Sequence, residues 1–380
     1  MKINSELAFN SPNLKNKQNV KFDSQQVVKF NHKWLQIVEP TIDTPEIEAL
    51  EIDERIDSDP LLKLLCLLVE ENSEIPAQLC ELYKEGLAIL LKKWDDRLAI
   101  KGDKFYQKLS LQRKQDLLSK IALITFESGE FFFKQDIEQY IIDYFLNLPA
   151  APTNPEILEM VAVAALKSIE SQHTLLVEKA KGIYSFSDLK FHQYFVARAI
   201  AQASTPEESE QSLKKLVSHI SESRWHEVFV LIVGMLRNSD YLLRLMQQQT
   251  NTILAVDKEL QHFLFWLNQK SNSVKSDYKP ATLRALYLEF ILGIDSDEAL
   301  EDECVDYDRV NNIDVNTICE LLEFTFTKQQ KAILKQYYDA NKLLIDCLHQ
   351  ARYVSRSLRE EIQQALLVPS PVNSQKSAIA

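Results

Sequence analysis

The sequence predicts a mainly α fold with a single small β-hairpin. Three observations carry that expectation. Glycine is scarce, 6 in 380 residues, against a usual share of about 7%. Leu, Ile, Glu, Lys and Gln dominate the chain, and all but Ile are good helix formers. Apolar residues also recur at three- and four-residue spacing behind N-cap signals, whereas a short strand–turn–strand pattern stands out only near residues 175–186. The length suggests two or three structural units, ample for cores of ordinary size.

Residues 1–20 are polar and read as a disordered start. Phe22, Val27, Phe30 and Trp34 then fall near helical spacing, with Asp23 or Ser24 as the cap, and an acidic linker-like stretch follows from Pro40 to Asp59. Within it, Glu46–Ile56 is a candidate short helix. Asp59 before Pro60 is a strong helix start, because Asp caps and Pro suits the first helical position. Leu61, Leu62, Leu64, Leu65 and Leu68 are too continuously apolar for a helix facing water. A second helix is predicted over Glu74–Trp94, with Leu79, Leu82, Tyr83, Leu87, Leu90, Leu91 and Trp94 on one stripe.

From residue 110 the rhythm changes. Leu111–Phe126 reads as a helix stopped by Gly129, Phe131–Phe133 as a short strand and Asp136–Leu146 as a second helix. Asn154 and Pro155 open a third, running to about Ser171. Strand, turn and strand follow over Leu175–Phe186, and Ser187 or Asp188 caps a closing helix to about Ala203. Helices followed by a hairpin are the plan of a winged helix. Thr205, Pro206 and Glu208 form a capping signature. Helix then follows helix: Leu213–Ile220, Trp225–Met235, Tyr241–Met246, Leu260–Leu267, Ala281–Leu292, Val315–Phe326, Lys331–Leu348 and Ser355–Leu366. No repeat of fixed length emerges, and the tail from Pro369 is polar.

Composition excludes several function classes. A formal net charge of −12 with no Lys/Arg cluster argues against nucleic acid as a partner. The five cysteines, Cys66, Cys80, Cys304, Cys319 and Cys347, form no C-x-x-C and read as reduced structural thiols of a cytoplasmic protein. There is no signal peptide pattern, and the longest apolar run, Leu61–Val69, is too short for a membrane span. The seven histidines include no metal-binding spacing, so no metal or other cofactor is expected. The acidic run from Asp295 to Asp308 lacks the glycine of a calcium loop and reads as a solvated face or loop, with a site for a cation or a basic partner as the alternative. Trp225, Phe229 and Trp266 are most simply core, with an exposed docking stripe as the alternative, which makes them the interaction candidates.

Tyr184, Phe186, Asp188, Phe191, His192, Gln193, Tyr194, Phe195 and Arg198 form a segment that resembles Y-S-F-x-H-x-x-F-Q-E-Y-F-A-A-R. That motif closes the winged helix of NACHT-type NTPases, signalling switches of the STAND class. Four further blocks resemble the mainly cyanobacterial members with a C-terminal helical domain: Asp59–Leu67, Glu81–Asp95, Arg224–Leu236 and Tyr278–Tyr287. Beyond Gly293 the likeness is loose. The resemblance implies a remnant of the NTPase end and lid with a disordered start at 1–58. A small helical domain follows at 59–109, a winged helix at 110–203, a C-terminal all-helical domain at 204–367 and a disordered tail at 368–380.

The departures from the family bear on function. No two glycines have the spacing of G-x-x-x-x-G-K-[ST], and the first is Gly86, so the backbone cradle for phosphates is missing. The family's phosphate-reaching histidine falls at Asp188, a carboxylate that repels phosphate. The resemblance leaves Pro60, near the base in the family, and Asp188 as vestigial nucleotide positions. The expectation is an N-terminally truncated, non-catalytic regulatory or protein-interaction module. Its partners are other protein chains, and the resemblance implies bacterial signalling or antiphage defence. The alternatives are the C-terminal half of a split NACHT ATPase, completed by a separate NTPase chain, and a decayed gene fragment.

Overall fold

The computed structural model describes residues 60–71, 75–95, 104–149, 151–152, 154–170, 175–203, 205–276, 278–293 and 315–369. The helix expected over Phe22–Trp34, the linker helix at Glu46–Ile56 and the acidic run at 295–308 lie outside these residues. The chain divides into two compact units, Met1–Ala77 and Gln78–Ala380.

In the first unit, α1 (Pro60–Glu70) starts at the proline, whose fixed φ and missing N–H suit the first helical position. Pro60, Leu61, Leu62, Leu64, Leu65 and Leu68 are buried, as the continuous apolar run requires.

The second unit begins with α2 (Leu79–Asp95). This helix starts five residues later than the periodicity suggests, because Pro76 cannot donate to a helix interior and disfavours helical geometry at Ile75. Leu82, Tyr83, Leu87 and Leu91 form its buried stripe. A short α3 (Lys104–Gln107), absent from the sequence reading, precedes α4 (Leu111–Ser128). Ser110 caps α4 by accepting from the Arg113 N–H, and Gly129, at φ 130°, ends it in a conformation that L side chains rarely adopt.

Then come β1 (Phe132–Phe133), α5 (Lys134–Leu146), α6 (Pro155–Ser168), β2 (Leu176–Ala180), β3 (Ile183–Phe186) and α7 (Leu189–Ala201). The antiparallel sheet has the order β1-β3-β2, with Phe132 opposite Tyr184 and Val177 opposite Ser185. Two residues join β2 to β3, and Gly182 at φ 72° supplies the left-handed turn position. Helix, strand, two helices and a two-stranded wing in this order are the winged-helix topology the sequence predicts. Asn154 caps α6, its Oδ1 accepting from the Glu156 and Ile157 N–H groups.

After α7 the elements among the described residues are all helical: α8 (Pro206–Ser218), a 3₁₀ turn at Ser223–Trp225, α9 (His226–Met235), α10 (Asp240–Ile253) and α11 (Lys258–Ser273). It ends with α12 (Pro280–Leu292), α13 (Val315–Leu321), α14 (Lys328–Gln350) and α15 (Arg356–Ala365). Thr205 caps α8 by accepting from the Glu208 N–H at 3.2 Å. Thr327 and Gln330 make a full capping box at α14. α10 and α11 outrun their apolar cores, and α13 stops before Phe324 and Phe326, which the sequence reading placed in the helix. Those two rings instead join Phe263 and Trp266 in an aromatic cluster, with Phe324 4.9 Å from Trp266. Stacking outside the helix satisfies them better than continued helical geometry would.

Within this unit α9 occupies the centre. It packs against α2, α7 and α14, and from Val228 to Met235 its sequence is apolar all round, as a helix covered on several sides must be. The junction at 203/204 therefore lies inside one compact unit and is bridged by the α7–α9 contact. The cut at Ala77 divides the 59–109 stretch between the two units.

Candidate functional site

The segment that carries the family likeness builds the seam between the winged helix and the helices beyond it. Asp188 stands at the N-cap of α7, with extended backbone, and its Oδ1 accepts from the Lys190 N–H at 2.7 Å. Of the two caps the sequence allows, Ser187 and Asp188, the structure uses the latter. The carboxylate answers an otherwise unpaired helix N–H and favours the positive end of the helix dipole.

One turn on, His192 is 1% exposed and stacks on Phe186 at 4.3 Å, with the edges of Phe126 and Phe132 around it. Its Nε2 lies 3.1 Å from both the Ala122 carbonyl and Thr125 Oγ1. A carbonyl only accepts, so Nε2 carries the proton in the neutral ring. Burial, followed by the nearby Arg224 guanidinium, pushes the imidazole down to about 4, although the Ala122 carbonyl opposes this. His192 is thus a neutral, satisfied core residue at physiological pH.

Gln193 reaches the other way and donates from Nε2 to the Arg224 carbonyl at 2.8 Å. The Arg224 side chain lies over the Phe126 ring at 4.2 Å and donates to the Gly129 carbonyl at 2.9 Å. It thereby ties the entry of α9 to the end of α4. Farther along α7, Arg198 is 5% exposed and is held by Asp116 at 2.7 Å and Ser119 at 3.0 Å, both on α4. Tyr194 stacks on Tyr83 of α2 with centroids 5.2 Å apart. The sequence reading missed the Arg224 clamp. Its only advance signal is an arginine beside the tryptophan that opens an apolar helix.

The sequence-predicted residues fall in different places. Pro60 belongs to the first unit, as the opening residue of α1. Trp225 and Phe229, 4% and 0% exposed, are in the core: Trp225 stacks on His219 at 4.3 Å and meets the edge of Phe126 at 4.8 Å. Neither presents a ring to a partner. Trp266 is partly exposed in the aromatic cluster of α11, with the Lys270 ammonium 5.7 Å above it.

No nucleophile or metal site emerges from these side chains. Among the described residues no group of three or more His, Cys, Asp or Glu could hold a metal ion. Burial, with Glu70 nearby, pushes the Cys66 thiol up to about 11, and burial also raises Cys80 and Cys347. These three stay protonated and unreactive at neutral pH. No helix among the described residues is long and apolar enough to cross a membrane.

Residues 311–369 match the family model of NACHT C-terminal Helical domain 2. The matched stretch contains α13, α14 and α15 and lies in the part of the chain where the motif likeness is loosest. No curated protein matches the chain.

Proposed function

We propose that this chain, a NACHT-type protein by its matched C-terminal helices, is a non-catalytic regulatory and protein-interaction module. The observation that carries the reading is the unbroken packing of α4 on α7, α7 on α9 and α9 on α14. α14 belongs to the matched segment, so one core runs from the winged helix into the family's helical domain. Such interiors are close-packed and pass displacement on instead of absorbing it. That is the property a relay between a switch and a docking surface needs.

Catalysis finds no support in the same residues. The 380 residues contain no glycine pair with phosphate-loop spacing, and Asp188 uses its carboxylate to cap α7. Partners are other protein chains, and the motif likeness suits a cytoplasmic role in bacterial signalling or defence.

The test is nucleotide chemistry on the purified chain. With Mg-ATP it should release no phosphate above buffer, and ATP or ADP should bind at best weakly. Turnover abolished by a point substitution in this chain would overturn the reading. So would nucleotide binding that appears with a phosphate-loop chain and tightens on Asp188→His, in favour of a split enzyme.

A further inference from the structure

A serine or threonine buried in a helix commonly satisfies its hydroxyl by bonding back to the carbonyl four residues earlier. Ser119 does so to Gln115 at 2.7 Å, Thr125 to Ile121 at 2.8 Å and Ser271 to Leu267 at 2.7 Å. Thr250, in the last turns of α10 and 2% exposed, does not. Its Oγ1 is buried and has no hydrogen-bond partner among the described residues. A hydroxyl left in that state has given up its bonds to water on folding and gained nothing in return.

Thr250 lines a cavity of about 20 Å³ between α10, α14 and the end of α15. Gln247 and Asn251 of α10 line it too, one turn apart, and each brings a side-chain amide able both to donate and to accept. Asn341 of α14 is also there, but its amide is occupied. Its Nδ2 donates to the Tyr337 carbonyl, and its Oδ1 accepts from the Leu367 N–H. Leu344 and Ile362 make the opposite wall apolar, and no charged side chain lines the space.

We infer that this cavity is the site of one resident water molecule, bonded to Thr250 Oγ1 and to the amides of Gln247 and Asn251. Size and lining select that ligand. One water needs about 10–15 Å³ of such space and two to four polar partners. Sites for organic ligands run to about 300–1,000 Å³, so anything larger is excluded by volume. A divalent cation is excluded by chemistry, since no carboxylate, imidazole or thiol faces the cavity. The water completes the polar side of the joint at which α10 meets α14 and α15. The assignment stands independently of the non-catalytic reading.

Thr250→Val reads the sign of the effect, because it exchanges the hydroxyl for a methyl with little change of shape or helix propensity. A hydroxyl bonded to water loses that bond, and the urea midpoint of the full chain should fall by roughly 0.3–1 M. A hydroxyl bonded to nothing would gain from the exchange, and the midpoint would rise. Gln247→Met should cost less in the Thr250→Val background than alone, because the two side chains share the water. A crystal structure of the wild type should show water density about 2.8 Å from Thr250 Oγ1, and that of Thr250→Val should lack it. A midpoint that rises or stays put overturns the proposal. So do additive costs in the double variant, or a well-ordered Thr250 with no density beside its hydroxyl.

Discussion

His192 makes folding stability depend on pH in a direction opposite to that of an ion-paired histidine. Its folded value lies near 4 against an ordinary 6.5. Between those values the unfolded chain takes up a proton that the folded chain refuses. Stability is therefore full above the unfolded value and is lost as pH falls from about 6.5 towards 4. At about 1.36 kcal/mol per unit the full effect is about 3 kcal/mol, of which about 2 kcal/mol is already lost at pH 5. The causes are structural: Phe186, Phe126 and Phe132 exclude water from the ring, and Arg224 disfavours a second positive charge. The assay is urea unfolding of the wild type and His192→Gln at pH 7, 6 and 5. Gln cannot titrate, so it cancels the carboxylates that both chains share. At neutral pH the variant should be the less stable, having lost the stack on Phe186. The gap should close by about 2 kcal/mol at pH 5. A gap unchanged across that range would mean that His192 titrates as if in water and would refute the burial argument.

Two other substitutions test the packing around it. A Cβ on Gly234 would meet Cys80 Sγ at 2.8 Å and Cys80 Cβ at 3.3 Å. Gly234→Ala should therefore cost about 1–3 kcal/mol in chemical denaturation, and the cost should be smaller in a Cys80→Ala background, as a double-mutant cycle will show. Asp188→Ala should lose about 1 kcal/mol with the cap, whereas Asp188→Asn, which can still accept from Lys190, should lose less. Equal losses would mean that the Asp188 hydrogen bond is not what holds the start of α7.

What the sequence makes legible follows from the range of the interaction. Helix starts at Asn154 and Thr205 are set by caps within three residues of themselves; the capping box at Thr327 is equally local, yet the reading that began this helix at Lys331 passed over it. The wing is set by Gly182 between two short strands. The late start of α2 was legible too, in Pro76, but the stripe of leucines outweighed it. The end of α13 was not, because Phe324 and Phe326 leave the helix for rings on α11 that lie far away in sequence. At the site, the cap role of Asp188 could be read locally. The burial of His192 could not, since its partners come from α4 and β3. The reach of Arg224 to Gly129 spans 95 residues and leaves no periodic trace. Trp225 and Phe229 show the limit of spacing as evidence, since a stripe of apolar residues looks alike whether its partner is the core or another protein.

The position of α9 constrains how the module can act. Val228, Phe229, Leu231, Ile232 and Val233 are each at most 1% exposed, and the helix that carries them is shared by α2, α7 and α14. Gly234 then lets Cys80 and the Gln350 carbonyl approach within the reach of a single Cβ. A helix so confined has no room to shift against one neighbour while holding the other two. On the proposed relay, movement of the winged helix would carry α9 with it, and α14 would follow. The end of α15 is in addition tied down by Arg284 of α12, 2% exposed, which donates to the Leu366 and Gln364 carbonyls and to Asn268 Oδ1 of α11. Its three hydrogen bonds fix the end of α15 to α11 and α12. On the proposed reading, this closed packing is what would let a small change at the winged helix reach the C-terminal helices without being dissipated on the way.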